Sequence, residues 1–286
     1  MMQNTRVKWD WPNEHVLITG GSSGLGRAMV MSASKRGAKI TIVARNEDRT
    51  KEVIESLRSL RCDAKDVRYF LYDLSDPYGV SELFDAIVAS QDGRSPTLLI
   101  NNAGYNAAGF VMNTPIDVYD KNFAVNTLAP IALLQSALPS MLKNNHGGVV
   151  SIVSAAMYHS FPGISSYCAR KFALGAVHES LEAELFLDGI QTLYVNPGGF
   201  QSRYWDHLDQ GDRLKGYKYP KRKKDRSAAE VAEKIFDSLE SGKRSINLSG
   251  PIDHLGKWLH LFAPTLFKRL LAKRNLELLK NRPKST

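Results

Sequence analysis

The chain has 286 residues, of which 43% are hydrophobic and 23% charged, and its formal net charge is +9. With a mean hydropathy of −0.28, this composition is typical of a globular protein with a sizeable core and excludes disordered, fibrous and disulfide-stapled classes. Its two cysteines, Cys62 and Cys168, and its seven histidines lack the spacing of metal ligands, so we predict a reducing compartment and no metal site.

The first 14 residues lack the apolar core of a secretory signal peptide. Further along, no run reaches the roughly 18 apolar residues that a membrane-spanning helix needs. We therefore predict a cytoplasmic protein, and its basic segments leave open a peripheral contact with the inner face of a membrane.

Short β-rich runs alternate with helical patterns from residue 15 to about residue 250. This alternation predicts an α/β fold: a doubly wound (Rossmann), mostly parallel seven-stranded sheet with helices on both faces. We expect one domain over residues 1–250 and a basic amphipathic extension over 251–286. The predicted strands are 15–19, 39–44, 67–72, 97–101, 148–153, 190–195 and 245–249. The predicted helices follow the first strand to about residue 36 and cover 46–60, 77–90, 115–143, 164–187 and 228–241.

A glycine-rich segment, TGGSSGLG, separates the first strand from the first helix. At such a turn, backbone N–H groups and a helix N-terminus point at a common space, which suits the pyrophosphate of a dinucleotide. The alternative is a tight turn without a ligand, but the position and the glycine density favour nucleotide binding. The candidate cofactor residues here are Gly20, Ser22, Ser23, Gly24, Leu25 and Gly26.

The second strand ends at Ala44 and is followed by Arg45. An acidic residue usually holds a free ribose 2′-hydroxyl at this place, whereas a guanidinium suits a 2′-phosphate. The sequence therefore favours NADP, although Arg45 could also be a surface residue at a strand end. Asp73, after the third strand, is a candidate for adenine contact or for capping a turn.

Three polar residues predict a proton-transfer site. Tyr167 and Lys171 are four positions apart on one helix and so share a face, and Ser154 ends the fifth strand. A tyrosine with a pKa near 10 is a poor acid at neutral pH, and a nearby ammonium lowers that pKa by about 1–3 units. A serine hydroxyl can hold the substrate oxygen while the proton moves.

Together these motifs resemble the short-chain dehydrogenase/reductase family, over about residues 14–250. The cofactor loop, the serine and the tyrosine–lysine pair occur in the family's order, and further matches are Asn101, Asn102, Ala103, Gly104, Asn126, Pro197 and Gly198. The resemblance implies a single Rossmann domain that binds NADP, and Asn126, Ser154, Tyr167 and Lys171 as catalytic residues. It further implies that Lys171 also binds the nicotinamide ribose and that Asn126 holds a water in a proton relay. Family members usually assemble as homo-oligomers through the helices that carry Asn126 and Tyr167.

Two positions depart from the family pattern. Arg170, within the tyrosine–lysine motif, is bulkier than the small residue usually found there. Ser202 stands where a threonine commonly binds the nicotinamide carboxamide. Neither change removes a reacting group, so both Ser202 and the motif residues stay in the predicted site.

The segment from about 199 to 227 is predicted to be a substrate lid. Its apolar and aromatic residues suit a lipophilic carbonyl compound, or else pack on their own core; they are Phe200, Tyr204, Trp205, Leu208, Leu214, Tyr217 and Tyr219. The stretches around the first two strands resemble 3-ketodihydrosphingosine reductases. We therefore predict an NADP(H)-dependent reductase of a lipophilic carbonyl, such as a long-chain 3-keto lipid. The alternatives are oxidation of a sterol-like or retinoid-like alcohol and a catalytically silent dinucleotide sensor, and nucleic acid is not an expected partner because no nucleic-acid-binding motif is present.

The C-terminal extension is strongly basic, as is the lid segment 215–226. Its apolar residues recur at intervals of three or four and predict one apolar helical face, and Pro264 is expected to kink the helix or start a second one. The apolar face suits contact with a membrane interface, with a neighbouring subunit, or with the substrate pocket. The apolar residues are Leu255, Trp258, Leu259, Phe262, Leu266 and Leu270.

Overall fold

The computed structural model describes residues 7–59, 67–201, 208–214 and 226–280. Its centre is a seven-stranded sheet in the order β3-β2-β1-β4-β5-β6-β7. Every neighbouring pair is parallel, as the predicted doubly wound fold requires. The strands are β1 His15–Thr19, β2 Lys39–Ala44, β3 Val67–Leu71, β4 Leu98–Asn101, β5 Gly147–Ile152, β6 Ile190–Asn196 and β7 Ser245–Asn247.

Helices cover both faces of the sheet, because successive residues of the buried central strands point to opposite sides. The helices are α1 Gly24–Lys35, α2 Glu47–Ser59, α3 Val80–Ala89, α4 Ile116–Phe123, α5 Ala129–Asn144, α6 Ser165–Glu184 and α7 Ala228–Glu240. Ile18 of β1 belongs to the core under α1, α2 and α7, whereas Leu17 belongs to the core under α3, α5 and α6. The prediction of helices on both faces is confirmed.

The strand order reverses between β1 and β4. Ile18 of β1 is in register with Ile42 of β2 on one side and with Ile100 of β4 on the other. In open α/β sheets, ligands bind in the crevice at the carboxyl ends of the strands flanking such a reversal. The glycine-rich turn after β1 and the segment after β4 both lie at this crevice.

Local sequence signals explain several element boundaries. Ser227 and Glu230 form the predicted capping box at the start of α7, and Asn46 Oδ1 accepts the Arg49 N–H at the start of α2. The predicted helix over 115–143 is interrupted by a π-helical turn, Ala124–Leu128. This turn joins α4 to α5, and π turns of this kind occur frequently at functional sites.

Among the described residues, one helical run, Ile116–Asn144, is long and apolar enough to cross a membrane by length and composition. Half of its most apolar window is buried in the protein, and Leu133 and Ala137 belong to the core on one face of the sheet. A buried core helix meets the same criteria, so this run is weak evidence for a membrane span.

The C-terminal extension forms three helices: α8 Pro251–Phe262, α9 Pro264–Arg274 and α10 Leu276–Lys280. The break between α8 and α9 lies at Pro264, as the sequence predicts, because proline lacks the N–H needed to continue the hydrogen-bond ladder. Phe267 of α9 and Leu278 of α10 are buried. Phe267 packs on His159, and Leu278 packs in the same apolar cluster as Tyr167, so both anchor the extension at the carboxyl ends of the strands.

Candidate active site

The glycine-rich turn after β1 has the backbone shape that a dinucleotide needs. Gly20 and Gly24 adopt φ values of +69° and +54°, which side-chain-bearing residues rarely adopt. A Cβ on Gly26 would come within 2.1 Å of the Gly20 carbonyl oxygen, so glycine is needed for α1 to pack on the turn. Ser23 precedes α1 without capping it through its side chain, and within the described ranges no atom lies within 4 Å of the Cβ position of Gly24. The open helix N-terminus fits a pyrophosphate.

The segment after β4 packs directly on this turn. The Asn102 side-chain amide donates to the Thr19 carbonyl oxygen at 2.9 Å, and the backbone N–H groups of Asn102 and Ala103 both donate to Thr19 Oγ1 at 3.0 Å. A Cβ on Gly20 would lie 2.9 Å from the Ala103 Cα. Asn102, Ala103 and the following Gly104 therefore border the same crevice as the glycine-rich turn.

Arg45 lies at the carboxyl end of β2, with its side chain 56% exposed. Its guanidinium is 3.9 Å from the Asp73 carboxylate. Burial acts to raise the pKa of Asp73, but hydrogen bonds from Ser75, and next the Arg45 charge, hold that pKa below its usual value. The two predicted cofactor residues therefore lie side by side at the crevice. Asp73 also accepts the Ser75 N–H at 3.0 Å, so it does cap the turn that follows β3.

Ser154 and Tyr167 come together at the carboxyl end of β5. Their side chains are hydrogen-bonded, and Ser154 Oγ also accepts the Ala156 N–H at 3.2 Å. Burial raises the pKa of Tyr167, while the Arg170 charge and the Ser154 hydroxyl act to lower it. The serine and the tyrosine that the sequence predicts to act together are thus in contact, with the phenol protonated in the resting site.

Lys171 lies one turn along α6 from Tyr167 and is also buried. Its Nζ donates to the Ile152 carbonyl oxygen at 2.7 Å. Burial, and next the nearby charge of Arg170, place the pKa of Lys171 well below its usual value. Its predicted roles, lowering the tyrosine pKa and binding the ribose, stay predictions.

Arg170 is the largest fully buried side chain among the described residues. Its Nη1 donates to Asn126 Oδ1 at 2.5 Å, and its guanidinium carbon lies 4.4 Å from the centroid of the Tyr167 ring. Sequence reasoning noted this residue only as a bulky departure from the family motif. The contact with Asn126, 44 positions away, is what places a permanent positive charge in the site.

Asn126 occupies the π-helical turn between α4 and α5. Its amide donates to the carbonyl oxygens of Asn122 and Tyr105, at 2.8 and 3.2 Å, while its oxygen receives Arg170. The side chain is therefore held at three points beside the catalytic helix. Whether it also holds a relay water stays a prediction.

The turn after β6 supplies the third wall of the crevice. Gly198 has φ +63°, and a Cβ there would come within 2.4 Å of the Leu248 carbonyl oxygen, so only glycine fits between the ends of β6 and β7. Its N–H donates to Asn196 Oδ1 at 3.2 Å, which fixes the turn after Pro197. Ser202, the remaining predicted cofactor residue, lies outside the described residues.

An apolar cluster surrounds Tyr167. Of the predicted lid residues, Leu208 and Leu214 belong to this cluster, whereas Phe200 packs on the core under α1, α2 and α7. Tyr204, Trp205, Tyr217 and Tyr219 lie outside the described residues. Asp209 of the lid accepts hydrogen bonds from Tyr105, in the loop after β4, and from Arg213 of the lid itself. The buried members are Ala108, Phe110, Ala156, Ile164, Tyr167, Cys168, Leu214 and Leu278.

Comparisons with known proteins agree with this geometry. The model of the short chain dehydrogenase family matches residues 14–213. A rat protein, dehydrogenase/reductase SDR family member 7B, is 31% identical over 282 residues, which cover 96% of this chain and 85% of the rat protein. An Anopheles gambiae protein, dehydrogenase/reductase SDR family protein 7-like, is 28% identical, with 96% and 87% covered.

Solved structures share the fold. A short-chain dehydrogenase from Streptomyces avermitilis matches with a TM-score of 0.71 at 24% identity, covering 94% of this chain and 98% of that one. One from Sphingobium yanoikuyae, in complex with NADPH, matches with a TM-score of 0.71 at 21% identity, covering 96% and 98%.

The family model spans well over half of the chain, and relatives of that family align along almost all of it. The crevice geometry agrees, since the side chains that the family motifs predict to react lie at the carboxyl ends of the strands. The chain therefore belongs to the short-chain dehydrogenase/reductase family and is an oxidoreductase.

Proposed function

We propose that this oxidoreductase uses NADPH to reduce the carbonyl group of a lipophilic substrate, with long-chain 3-keto lipids such as 3-ketodihydrosphingosine as the leading class. The observation that carries the proposal is the hydrogen-bonded pair of Ser154 and Tyr167 inside an apolar cluster. An apolar surround favours a hydrocarbon chain next to the reacting carbonyl, because burying apolar surface releases about 25 cal/mol per Å².

The side chains present supply the proton chemistry. When bound, NADPH supplies a hydride. In this proposal Ser154 holds the carbonyl oxygen, and Tyr167 gives that oxygen its phenolic proton. The pKa of Tyr167 is raised by burial, so the phenol is protonated at neutral pH, which is the state that reduction needs. The nearby permanent cation, Arg170, favours the phenolate once the proton has left.

The choice of NADPH over NADH rests on the end of β2. Ala44 stands where an acidic residue would hold a free 2′-hydroxyl, and Arg45 follows it with an exposed guanidinium. A guanidinium forms a planar, charge-assisted fork with phosphate. The Sphingobium yanoikuyae neighbour was solved with NADPH, which supports the same cofactor class here.

A substrate panel tests the proposal. NADPH oxidation is measured with 3-keto compounds graded from four to eighteen carbons, and with a sterol ketone and retinal as competitors. We expect kcat/KM to rise with chain length, by roughly fourfold for each buried CH₂ until the cluster is filled. A flat dependence on chain length, or a preference for the sterol or retinoid, would contradict the proposed substrate class.

A further inference from the structure

The C-terminal helices have an inner face that covers the active site. The ring of Phe267 in α9 packs on His159 at a centroid distance of 4.8 Å, and His159 in turn packs on Phe161 beside the apolar cluster. Leu278 of α10 belongs to the same buried cluster as Tyr167. Since Phe267 and Leu278 are buried, the extension packs on the protein next to the active site.

The outer face of α8 and α9 is apolar and exposed. Trp258 and Phe262 stack on each other at 5.7 Å, and Phe262 is 76% exposed. Isolated exposed apolar residues are normal, but a contiguous patch marks an interaction surface. Its members, each about half exposed or more, are Leu255, Trp258, Leu261, Phe262, Leu266 and Leu270.

Positive charges border this patch. The helix α9 contains four Lys or Arg residues and no acidic residue. On a helical wheel, Arg269 and Lys273 fall on the same side as Leu266 and Leu270, roughly a third of a turn around the helix from the buried Phe267. An exposed apolar stripe edged by cations is the pattern of helices that lie in the interface of an anionic bilayer.

The charge decides between a bilayer and a second copy of the chain. In a two-fold dimer the same patch meets itself, which would bring the cations of two α9 helices together. Anionic lipid headgroups neutralise those cations instead, while the acyl chains take up Trp258 and Phe262.

We propose that the outer face of α8 and α9 is a docking surface for an anionic membrane. This inference rests on exposure and charge alone. Its consequence, that a substrate dissolved in the bilayer enters the site next to the extension that contributes Leu278 to the Tyr167 cluster, rests on the proposed function as well.

The test is co-sedimentation of the full-length protein with vesicles of phosphatidylcholine containing 30% phosphatidylserine, and with pure phosphatidylcholine vesicles. We expect binding to the anionic vesicles only, lost when the salt concentration is raised to 0.5 M. The variant W258S/F262S should bind at least tenfold more weakly. The variant R269Q/K273Q should bind roughly 25-fold more weakly, since each charge near the surface is worth about fivefold.

A matched control removes two exposed apolar side chains elsewhere, Tyr78 and Leu187, as Y78S/L187S, and should bind like the wild type. Since all substituted residues are exposed, unfolding midpoints should be unchanged. Equal binding of W258S/F262S and wild type, or no binding of the wild type, would overturn the proposal. So would a wild-type oligomer that W258S/F262S dissociates, because the patch would then bind a second copy. Vesicle binding needs no turnover, so it stands or falls separately from the substrate class.

Discussion

Arg170 Nη1 donates a 2.5 Å hydrogen bond to Asn126 Oδ1, while the same guanidinium lies over the ring of Tyr167. One buried cation thus joins the π-helical turn to the catalytic helix. Burial raises the pKa of Tyr167 and lowers the pKa of Lys171, and the Arg170 charge opposes the first effect and adds to the second. We therefore expect Arg170 to share the electrostatic role that the family motif gives to the lysine.

Replacing Arg170 by methionine should shift the pH profile of alcohol oxidation, which requires the Tyr167 phenolate. Loss of the cation raises the pKa of Tyr167, so the half-maximal rate moves to higher pH. The expected shift is about one unit, the lower end of the ~1–3 units that a neighbouring charge produces, because Lys171 gains its proton more easily once Arg170 is gone. The profile of kcat against pH measures this shift. If the half-maximal pH did not move, Arg170 would have no effect on the Tyr167 pKa, and Lys171 would be the group that tunes it.

Tyr167→Phe should abolish turnover and leave cofactor affinity nearly unchanged. The substitution keeps the buried ring and removes the hydroxyl that bonds to Ser154. A general acid contributes ~10²–10⁴ to the rate, so kcat should fall at least a hundredfold, while the Kd for NADPH, measured by fluorescence on the same preparation, stays within a factor of about two. A variant that kept a tenth of the wild-type kcat would exclude Tyr167 as the acid.

Arg45→Ala should weaken NADPH binding by roughly tenfold and NADH binding very little. A hydrogen bond to a charged group contributes ~1.5–3 kcal/mol, and we expect the lower end because the side chain is half exposed and shared with Asp73. Isothermal titration with both cofactors measures the difference. Equal wild-type affinities for NADPH and NADH would contradict the role of Arg45 whatever the variant did.

Gly26→Ala should disrupt the cofactor turn. The new Cβ would stand 2.1 Å from the Gly20 carbonyl oxygen, which forces α1 away from the turn and costs on the order of 1–3 kcal/mol of unfolding free energy. NADPH binding should be lost, and urea denaturation should show the destabilisation. Gly199→Ala is the control, since none of the residues that the structure describes lies within 4 Å of its Cβ position, and its unfolding midpoint should match the wild type.

Acid should destabilise the protein through its buried histidines. Burial lowers the pKa of His178 to about 4 in the folded protein. As the pH falls below about 6.5, the unfolded chain therefore binds a proton at this residue and the folded protein does not. The stability from this group is complete above pH 6.5 and is lost as the pH falls toward 4, which amounts to about 2 kcal/mol at pH 5.

Urea denaturation at pH 7 and pH 5 tests the role of His178. The variant His178→Asn should lose about 2 kcal/mol less than the wild type between these two pH values. The exposed His254 offers the control, because His254→Asn should keep the wild-type difference. The same acid sensitivity in the His178 variant would refute the assignment.

Much of the fold follows from short stretches of sequence. The strands over 15–19 and 39–44 were predicted with the bounds that the structure shows, because continuous apolar runs can only be buried between two layers of helices. The Ser227 capping box and the break at Pro264 depend on hydrogen bonds within one turn, so local sequence is sufficient to predict them. The glycine-rich turn belongs to the same class, since its backbone angles exclude other residues.

The tertiary structure alone decided how these parts meet. The contact of Arg170 with Asn126 depends on the packing of α6 against a π turn that an uninterrupted helical pattern conceals. Leu278 entered the apolar cluster of Tyr167 from the end of the described chain, although periodicity predicted only that α8 and α9 would have an apolar face. Periodicity identifies a face without naming its partner, because the partner is chosen by shape and charge across distant segments. For that reason the sequence determined which groups can react in this site. The packing determined that Arg170 is its buried cation and that the C-terminal extension covers it.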